Sequence, residues 1–135
     1  MIRRLAPFAV LVACAVLAVA SAFREAPAAG TTGTYYTQAQ AASGAKLYAT
    51  SCGQCHGTKL EGVVAPPLRG STIKGSESIA QLYSFISSDM PAGAGGTLSP
   101  QTYSAIMAYI LAQNGHPAGT VTLTAANVKK ITERI

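Results

Sequence analysis

The stretch Cys52-Gly53-Gln54-Cys55-His56 decides the fold of this chain of 135 residues. Two cysteines at this spacing, at the end of a helix, can each add to one vinyl group on the same edge of a haem, and the adjacent histidine is then directed at the iron. Such a pattern is rare by chance because cysteine is rare. The motif therefore predicts one covalently bound haem c, attached at Cys52 and Cys55, with His56 as an iron ligand.

Three other chemistries use cysteines at this spacing. A thioredoxin-like redox pair would stand beside a βαβ pattern, which the sequence lacks. A structural zinc site needs four ligands, and only the distant His116 could join the motif's own three. A local disulfide formed by oxidation outside the cytoplasm is the remaining alternative. Haem is favoured because an export signal, a helical pattern and a candidate sixth ligand all agree with it.

The apolar spacing predicts an all-α domain, since no stretch alternates as a strand does and there are no internal repeats. Helices are predicted at about 38–51, 76–88, 100–113 and 125–134. The segment 52–75 is predicted to be a loop, and a loop of that length is expected to wrap around something.

Helix ends carry recognisable caps. Thr37 and Gln40 match a capping box, and Ser76 and Ser99 are predicted N-caps for the second and third helices. Gly44 lies inside the first helix, where glycine costs about 1 kcal/mol relative to alanine. Its presence indicates a close crossing with another helix.

Met90 is the candidate sixth ligand of the iron. It follows a predicted helix and lies in a loop whose glycines (Gly93, Gly95 and Gly96) allow a close approach to the haem edge. A thioether is a soft ligand that favours ferrous iron, so ligation by His56 and Met90 would raise the reduction potential relative to two histidines.

The other candidates for this position are weaker. Met107 lies on the apolar stripe of a predicted helix and is expected in the core, whereas Met1 leaves with the export signal. His116 would give an iron held by two histidines, but a histidine where a helix stops is expected to be exposed.

The first 22 residues read as an export signal, because Arg3 and Arg4 precede an apolar run over 5–22 that ends in small residues. An uncleaved membrane anchor is the main alternative, and a lipid attached at Cys14 is a weaker one. Residues 23–36 are expected to form a flexible lead, 37–117 the domain, and 118–135 a tail with a short helix.

Charge excludes a nucleic-acid binder. The net charge is +5, and loss of Arg3 and Arg4 with the signal leaves about +3. Two haem propionates would reduce this to roughly +1. The positive charge is scattered except for Lys129, Lys130 and Arg134, and a run of that size is usually a solvated helix face.

From about Thr37 to Pro117 the chain resembles a class I cytochrome c. It is most similar to the small cytochromes that serve periplasmic quinoprotein or flavin dehydrogenases. The residues that carry the likeness are Gly44 and Tyr48 before the haem motif, Gly57 after it, the run Pro66-Pro67-Leu68-Arg69-Gly70, the run Met90-Pro91-Ala92-Gly93, and 98–111.

The resemblance implies several roles. The carbonyl of Pro66 accepts the Nδ1 proton of His56, although a second proline and an alanine at the preceding position leave open which carbonyl is used. Leu68 packs on the haem face, and Gly44 lies where the first and third helices cross. Arg69 either pairs with a propionate or is a plain surface arginine. The tail after residue 117 has no counterpart and no assigned role.

Electron transfer is the function that these features predict, not substrate chemistry. The chain is expected to be a periplasmic carrier of single electrons, or a cytochrome subunit of a dehydrogenase complex in a respiratory chain. A periplasmic or membrane dehydrogenase would be the donor, and a downstream cytochrome or oxidase the acceptor, with membrane association through residues 5–22 left open. A haem enzyme or gas sensor with an open iron, and a thiol–disulfide enzyme, are the competing hypotheses.

Overall fold

The computed structural model describes residues 33–73 and 78–135, and the predicted export signal lies outside them. The all-α prediction is confirmed, since the described residues contain helices and no strand. The helices are α1 (Gln38–Ser51), α2 (Gly53–His56), α3 (Ile79–Asp89), α4 (Pro100–Gln113) and α5 (Ala125–Val128), with a 3-10 turn at Gly70–Thr72.

The first helix begins and ends where the sequence predicts. The Thr37 side chain accepts the Gln40 amide at 3.1 Å, as an N-cap does. The reciprocal half of the predicted capping box is replaced by another contact. The Gln40 side chain reaches across to Leu123 instead, donating to its carbonyl at 2.7 Å and accepting its amide at 2.9 Å.

The close crossing predicted from Gly44 is confirmed, with α4 as its partner. A Cβ on residue 44 would overlap the carbonyl oxygen of Ala105 and lie 3.1 Å from the Cβ of Tyr109. The rings of Tyr48 and Tyr109 pack at the same crossing, with centroids 5.3 Å apart. Glycine is therefore required here by the distance between two helix backbones.

The N-cap of α3 differs from the prediction, whereas the N-cap of α4 agrees with it. Ser78 is the N-cap of α3 and forms a capping box with Gln81, whereas the predicted cap, Ser76, lies outside the described residues. Ser99 caps α4 with Pro100 in its first turn, as predicted. The predicted inward stripes of both helices are buried (Ile79, Leu82, Tyr83 and Ile86; Tyr103, Ile106, Met107, Ile110 and Leu111).

The predicted loop 52–75 is partly helical. Cys52 ends α1 and starts α2, because its carbonyl accepts the amides of both Cys55 and His56. The turn at Gly70–Thr72 is the second ordered piece. Short helices of this kind lack the apolar periodicity that a sequence pattern needs to be recognised.

Both ends of the domain differ from the prediction. Tyr36, predicted to lie in the flexible lead, is only 2% exposed. Burial of its large aromatic ring stabilises this packed position. The last helix was predicted at 125–134 but ends at Val128. The chain beyond it leaves the helix because the carbonyls of Ile131 and Glu133 bond to amides at the start of α3.

Candidate functional site

An apolar cavity of about 320 Å³ lies between α2, α3, α4 and the loops that join them. Its volume falls in the range of ligand pockets. The residues that line it are Ser51, Cys52, Cys55, His56, Val64, Ala65, Leu68, Leu82, Phe85, Ile86, Met90, Pro91, Ala92, Leu98, Tyr103, Ile106 and Ile110. The structure thus brings both motif cysteines, the motif histidine and Met90 to one cavity.

The motif cysteines lie at the turn between two helices. Cys52 is half-buried and Cys55 is exposed. Burial raises the pKa of the Cys52 thiol, and the neighbouring Cys55 raises it further. A thiol–disulfide enzyme needs a cysteine whose pKa is lowered, so the surroundings of Cys52 oppose that alternative.

The His56 ring is oriented by a backbone carbonyl. Its Nδ1 lies 2.8 Å from the carbonyl oxygen of Pro66. A carbonyl can only accept, so Nδ1 is the donor in this hydrogen bond, and Nε2 is the ring nitrogen left for a metal. Of the two consecutive prolines, the first supplies the acceptor.

The loop that follows His56 is held by the motif's own backbone. The Cys55 carbonyl accepts the amides of Val63, Val64 and Ala65, each at 3.1 Å, and the His56 carbonyl accepts the Gly62 amide at 2.7 Å. Sequence analysis missed this arrangement. The one signal that points to it is Gly62, whose φ of +81° reverses the chain at low cost only for glycine.

Met90 follows the last residue of α3 and is held by a tyrosine from α4. The Tyr103 hydroxyl donates to the Met90 carbonyl at 2.6 Å, and both residues line the cavity. Sequence analysis assigned Tyr103 only to the core stripe, because a helical pattern does not reveal which hydroxyl finds a partner.

The glycines after Met90 serve the fold of the loop itself. A Cβ on Gly95 would overlap the carbonyl oxygen of Ser88, so the loop packs against the end of α3. Gly93 and Gly96 have φ of +78° and +75°, which glycine adopts readily. Gly95 thus allows the loop to approach the helix backbone closely.

The remaining predicted residues divide between the cavity and the outside. Leu68 lines the cavity, and its carbonyl accepts the Asn114 side-chain amide at 3.0 Å. Arg69 is exposed and does not line the cavity. Met107, 0% exposed, is in the core as predicted.

His116 was predicted to be exposed, and that prediction is wrong. The residue is 6% exposed and lies away from the cavity. Its Nδ1 is 3.6 Å from a carboxylate oxygen of Glu133, and its carbonyl accepts the hydroxyl of Tyr36. The histidine is buried because the two ends of the domain close over it.

Two further findings concern metals and membranes. Within 33–73 and 78–135, no three His, Cys, Asp or Glu side chains are grouped as a metal-ion site would require. Over the same two ranges, none of the helices has the length and apolar character to cross a bilayer.

Comparison with known proteins identifies the family. A family model described as cytochrome c oxidase, cbb3-type, subunit III matches residues 39–110, which is more than half of the chain. The chain belongs to this family and is a class I c-type cytochrome. It therefore carries covalently bound haem c and transfers electrons.

A chain in the crystal structure of the sulfane dehydrogenase SoxCD from Paracoccus pantotrophus is similar in fold. The TM-score is 0.57 and the identity 29%, over 68% of this chain and 52% of that one. The protein thus matches about half the length of that relative. Comparison with curated proteins gave no match.

Proposed function

We propose that the chain is an exported, six-coordinate electron carrier, with haem c bound through Cys52 and Cys55 and iron ligated by His56 and Met90. The observation that carries the proposal is the shared cavity. It brings the two thiols and the imidazole of the 52–56 motif together with the thioether of Met90, which lies 34 residues after His56 in the chain. Its walls are otherwise mostly apolar, as a bound macrocycle requires.

The two axial ligands are each held by a hydrogen bond to backbone. The Pro66 carbonyl accepts the Nδ1 proton and holds the His56 ring, so that Nε2 is the nitrogen left to bind iron. Tyr103 holds the backbone of Met90 through its carbonyl. These contacts fix the His56 ring and the Met90 backbone beside the cavity, and fixed positions limit rearrangement between redox states.

Occupation of both axial positions by protein favours electron transfer over substrate chemistry. Haem supplies, when bound, an iron that changes oxidation state by one electron. Ligation of that iron by His56 and Met90 would raise its reduction potential and would leave no position for oxygen or peroxide. Leu68, Ile106 and Ile110 line the cavity with apolar side chains.

The redox partners are proposed to dock at the mouth of the cavity. Val64 and Phe85 line the cavity and are 80% and 48% exposed, and Cys55 beside them is exposed as well. Weak complexes with small interfaces suit such exchange. A dehydrogenase is the proposed donor, supported by the dehydrogenase named in the SoxCD structure, and a cytochrome or oxidase is the proposed acceptor.

Export to the periplasm completes the proposal. Residues 1–22 have the features of a signal peptide, and the covalent haem suits a protein that works outside the cytoplasm. The carrier is either a free shuttle or a subunit of a dehydrogenase complex in the respiratory chain, in which case retention of 5–22 would anchor it to the membrane.

Replacement of the methionines tests the axial assignment. Met90→Leu should abolish the near-infrared band of methionine-ligated ferric haem, lower the reduction potential and allow carbon monoxide to bind the ferrous protein. Met107→Leu is the matched control and should leave all three unchanged, because that residue lies in the core. If Met90→Leu keeps the wild-type spectrum, the ligand lies elsewhere. If the wild type itself lacks the band and binds carbon monoxide readily, a haem enzyme or gas sensor is the better assignment.

A further inference from the structure

The C-terminal segment 118–135 lies beyond the part of the chain that the family model matches, yet it is built into the core. Leu123 is 1% exposed, Val128 0% and Ile135 9%. Gln40 holds the middle of the segment with its two hydrogen bonds to Leu123. The segment is therefore docked against α1 and the domain interior.

The end of this segment closes the start of α3. The Ile79 amide donates to the Glu133 carbonyl at 2.8 Å, and the Ala80 amide donates to the Ile131 carbonyl at 3.1 Å. The first amides of a helix have no partner within the helix, and an unmade hydrogen bond there is costly. Two of these amides are satisfied by residues more than fifty positions away.

The other end of α3 leads directly into Met90, which is its C-cap residue. The helix has 11 residues and spans about 16 Å. Because one continuous helix joins the two ends, a shift of its first turn would also shift Met90 at its last.

The segment also borders the loop that follows Met90. A second cavity, of about 270 Å³, is lined by Ala125 and Lys129 from the segment, by Gly96 and Leu98 from the loop, and by Tyr83, Ser87, Pro100 and Tyr103. Leu98 and Tyr103 line the haem cavity too, so these two residues form a shared wall. If the segment loosened, the loop that follows Met90 would have room to move into this second cavity.

We propose that residues 118–135 act as a strap that holds Met90 on the iron. The docked strap fixes α3 and the outer side of the Met90 loop. A loosened strap lets the methionine leave, so that the iron takes an external ligand. The strap residues are positioning residues, and the inference rests on the proposed function because it requires Met90 to be a ligand.

A matched pair of valines in the strap tests this inference. Val128 is 0% exposed and Val121 is 51% exposed. Val128→Ala should raise the affinity of the ferric holo-protein for imidazole by about tenfold, equivalent to about 1.4 kcal/mol, and should lower the reduction potential. Val121→Ala should match the wild type in both measurements.

Two further variants test the inference if Val128→Ala does not fold. A chain that ends at Lys130 lacks both strap carbonyls and should bind imidazole more tightly than Val128→Ala does. Gln40→Ala removes only the hydrogen bonds to Leu123 and should show a smaller rise. Thermal unfolding is measured on the same samples, because a purely structural segment would lower the unfolding temperature without changing the imidazole affinity of the folded protein.

Unchanged imidazole affinity in the strap variants, with a lowered unfolding temperature, would overturn the inference. An equal rise in Val121→Ala would overturn it as well. These outcomes are distinct from failure of the proposed function. If the proposed function fails, Met90→Leu itself keeps the wild-type spectrum. If only the strap inference fails, Met90→Leu still abolishes the near-infrared band.

Discussion

The two sides of the haem cavity are built in different ways. On the histidine side, the acceptor for His56 is Pro66, ten residues away, and the intervening loop is tied to the carbonyls of Cys55 and His56. On the methionine side, Met90 depends on Tyr103 from the next helix, and α3 in turn depends on carbonyls from the C-terminal segment.

This difference bears on how each ligand is lost. A ligand held by its own neighbours in sequence is released only when that short stretch unfolds. A ligand held by distant elements is released when any of those contacts opens, and such local openings cost less than global unfolding. We therefore expect the methionine side to be the labile one, and the following experiments test that contrast.

The largest effect is expected from the histidine side. His56→Ala removes the proposed iron ligand nearest the attachment cysteines, and the holo-protein should lose its low-spin absorption spectrum entirely. His116→Ala is the control, since that histidine lies outside the cavity and its loss should leave the spectrum unchanged. A wild-type spectrum in His56→Ala would contradict the assignment of this residue.

The crossing of α1 and α4 joins the two sides, because α1 ends at the cysteine motif and α4 carries Tyr103. Gly44→Ala would drive a methyl group into the Ala105 carbonyl, and we expect a loss of about 1–3 kcal/mol in the free energy of unfolding. Gly53→Ala is the control, because the nearest atom to its added Cβ, the Tyr48 carbonyl oxygen, would be 3.7 Å away. Denaturant titration measures both, and equal stability of the two variants would argue against a tight crossing.

A pair of tyrosines compares the sides directly. Tyr103→Phe removes the hydrogen bond to the Met90 carbonyl, and Tyr48→Phe removes one of 2.8 Å to the Gly57 carbonyl on the histidine side. Each should cost about 1 kcal/mol of stability. Only Tyr103→Phe should increase the affinity of the ferric protein for imidazole. Equal imidazole affinities in the two variants would show that the methionine side is no more labile than the histidine side.

The smallest effect concerns alkaline stability at the ends of the domain. Burial first, and then the hydrogen bond and charge of Glu133, raise the pKa of Tyr35 from 10.0 to about 12. A raised pKa stabilises the fold below the unfolded value, and this contribution is lost as pH rises from about 10 to about 12.

The pKa values of Tyr36 and Tyr48 are raised too, chiefly by burial, so Tyr35→Phe should remove only part of the alkaline decline. Urea titration on either side of this interval measures it. An unchanged pH dependence in Tyr35→Phe would show that the raised pKa of Tyr35 does not contribute to alkaline stability.

Much of the architecture could be predicted because its signals are local. The bounds of α1, the cap of α4 and the buried stripes follow from apolar spacing and from side chains that bond within three residues. Gly44 correctly predicted a close helix crossing, since a glycine inside a helix indicates that another backbone packs tightly against it. These features depend on residues close together in the chain.

The errors share the opposite cause. The last helix was predicted six residues too long because its carbonyls bond to α3. His116 was expected on the surface but is covered by Tyr36 and Glu133 at the two ends of the domain, and Tyr36 was placed in a flexible lead although it is buried. Each outcome depends on a partner far away in sequence, which no local pattern records.

The sequence by itself determined the chemistry of this protein. Cys52, Cys55 and His56 specify a covalent haem because the attachment reaction needs only neighbouring residues at a set spacing. The tertiary structure alone decided what surrounds that chemistry: the use of the Pro66 carbonyl, the hold of Tyr103 on Met90, and the docking of 118–135 against α3. Those contacts join elements far apart in the chain, and they form only when the core brings the helices together.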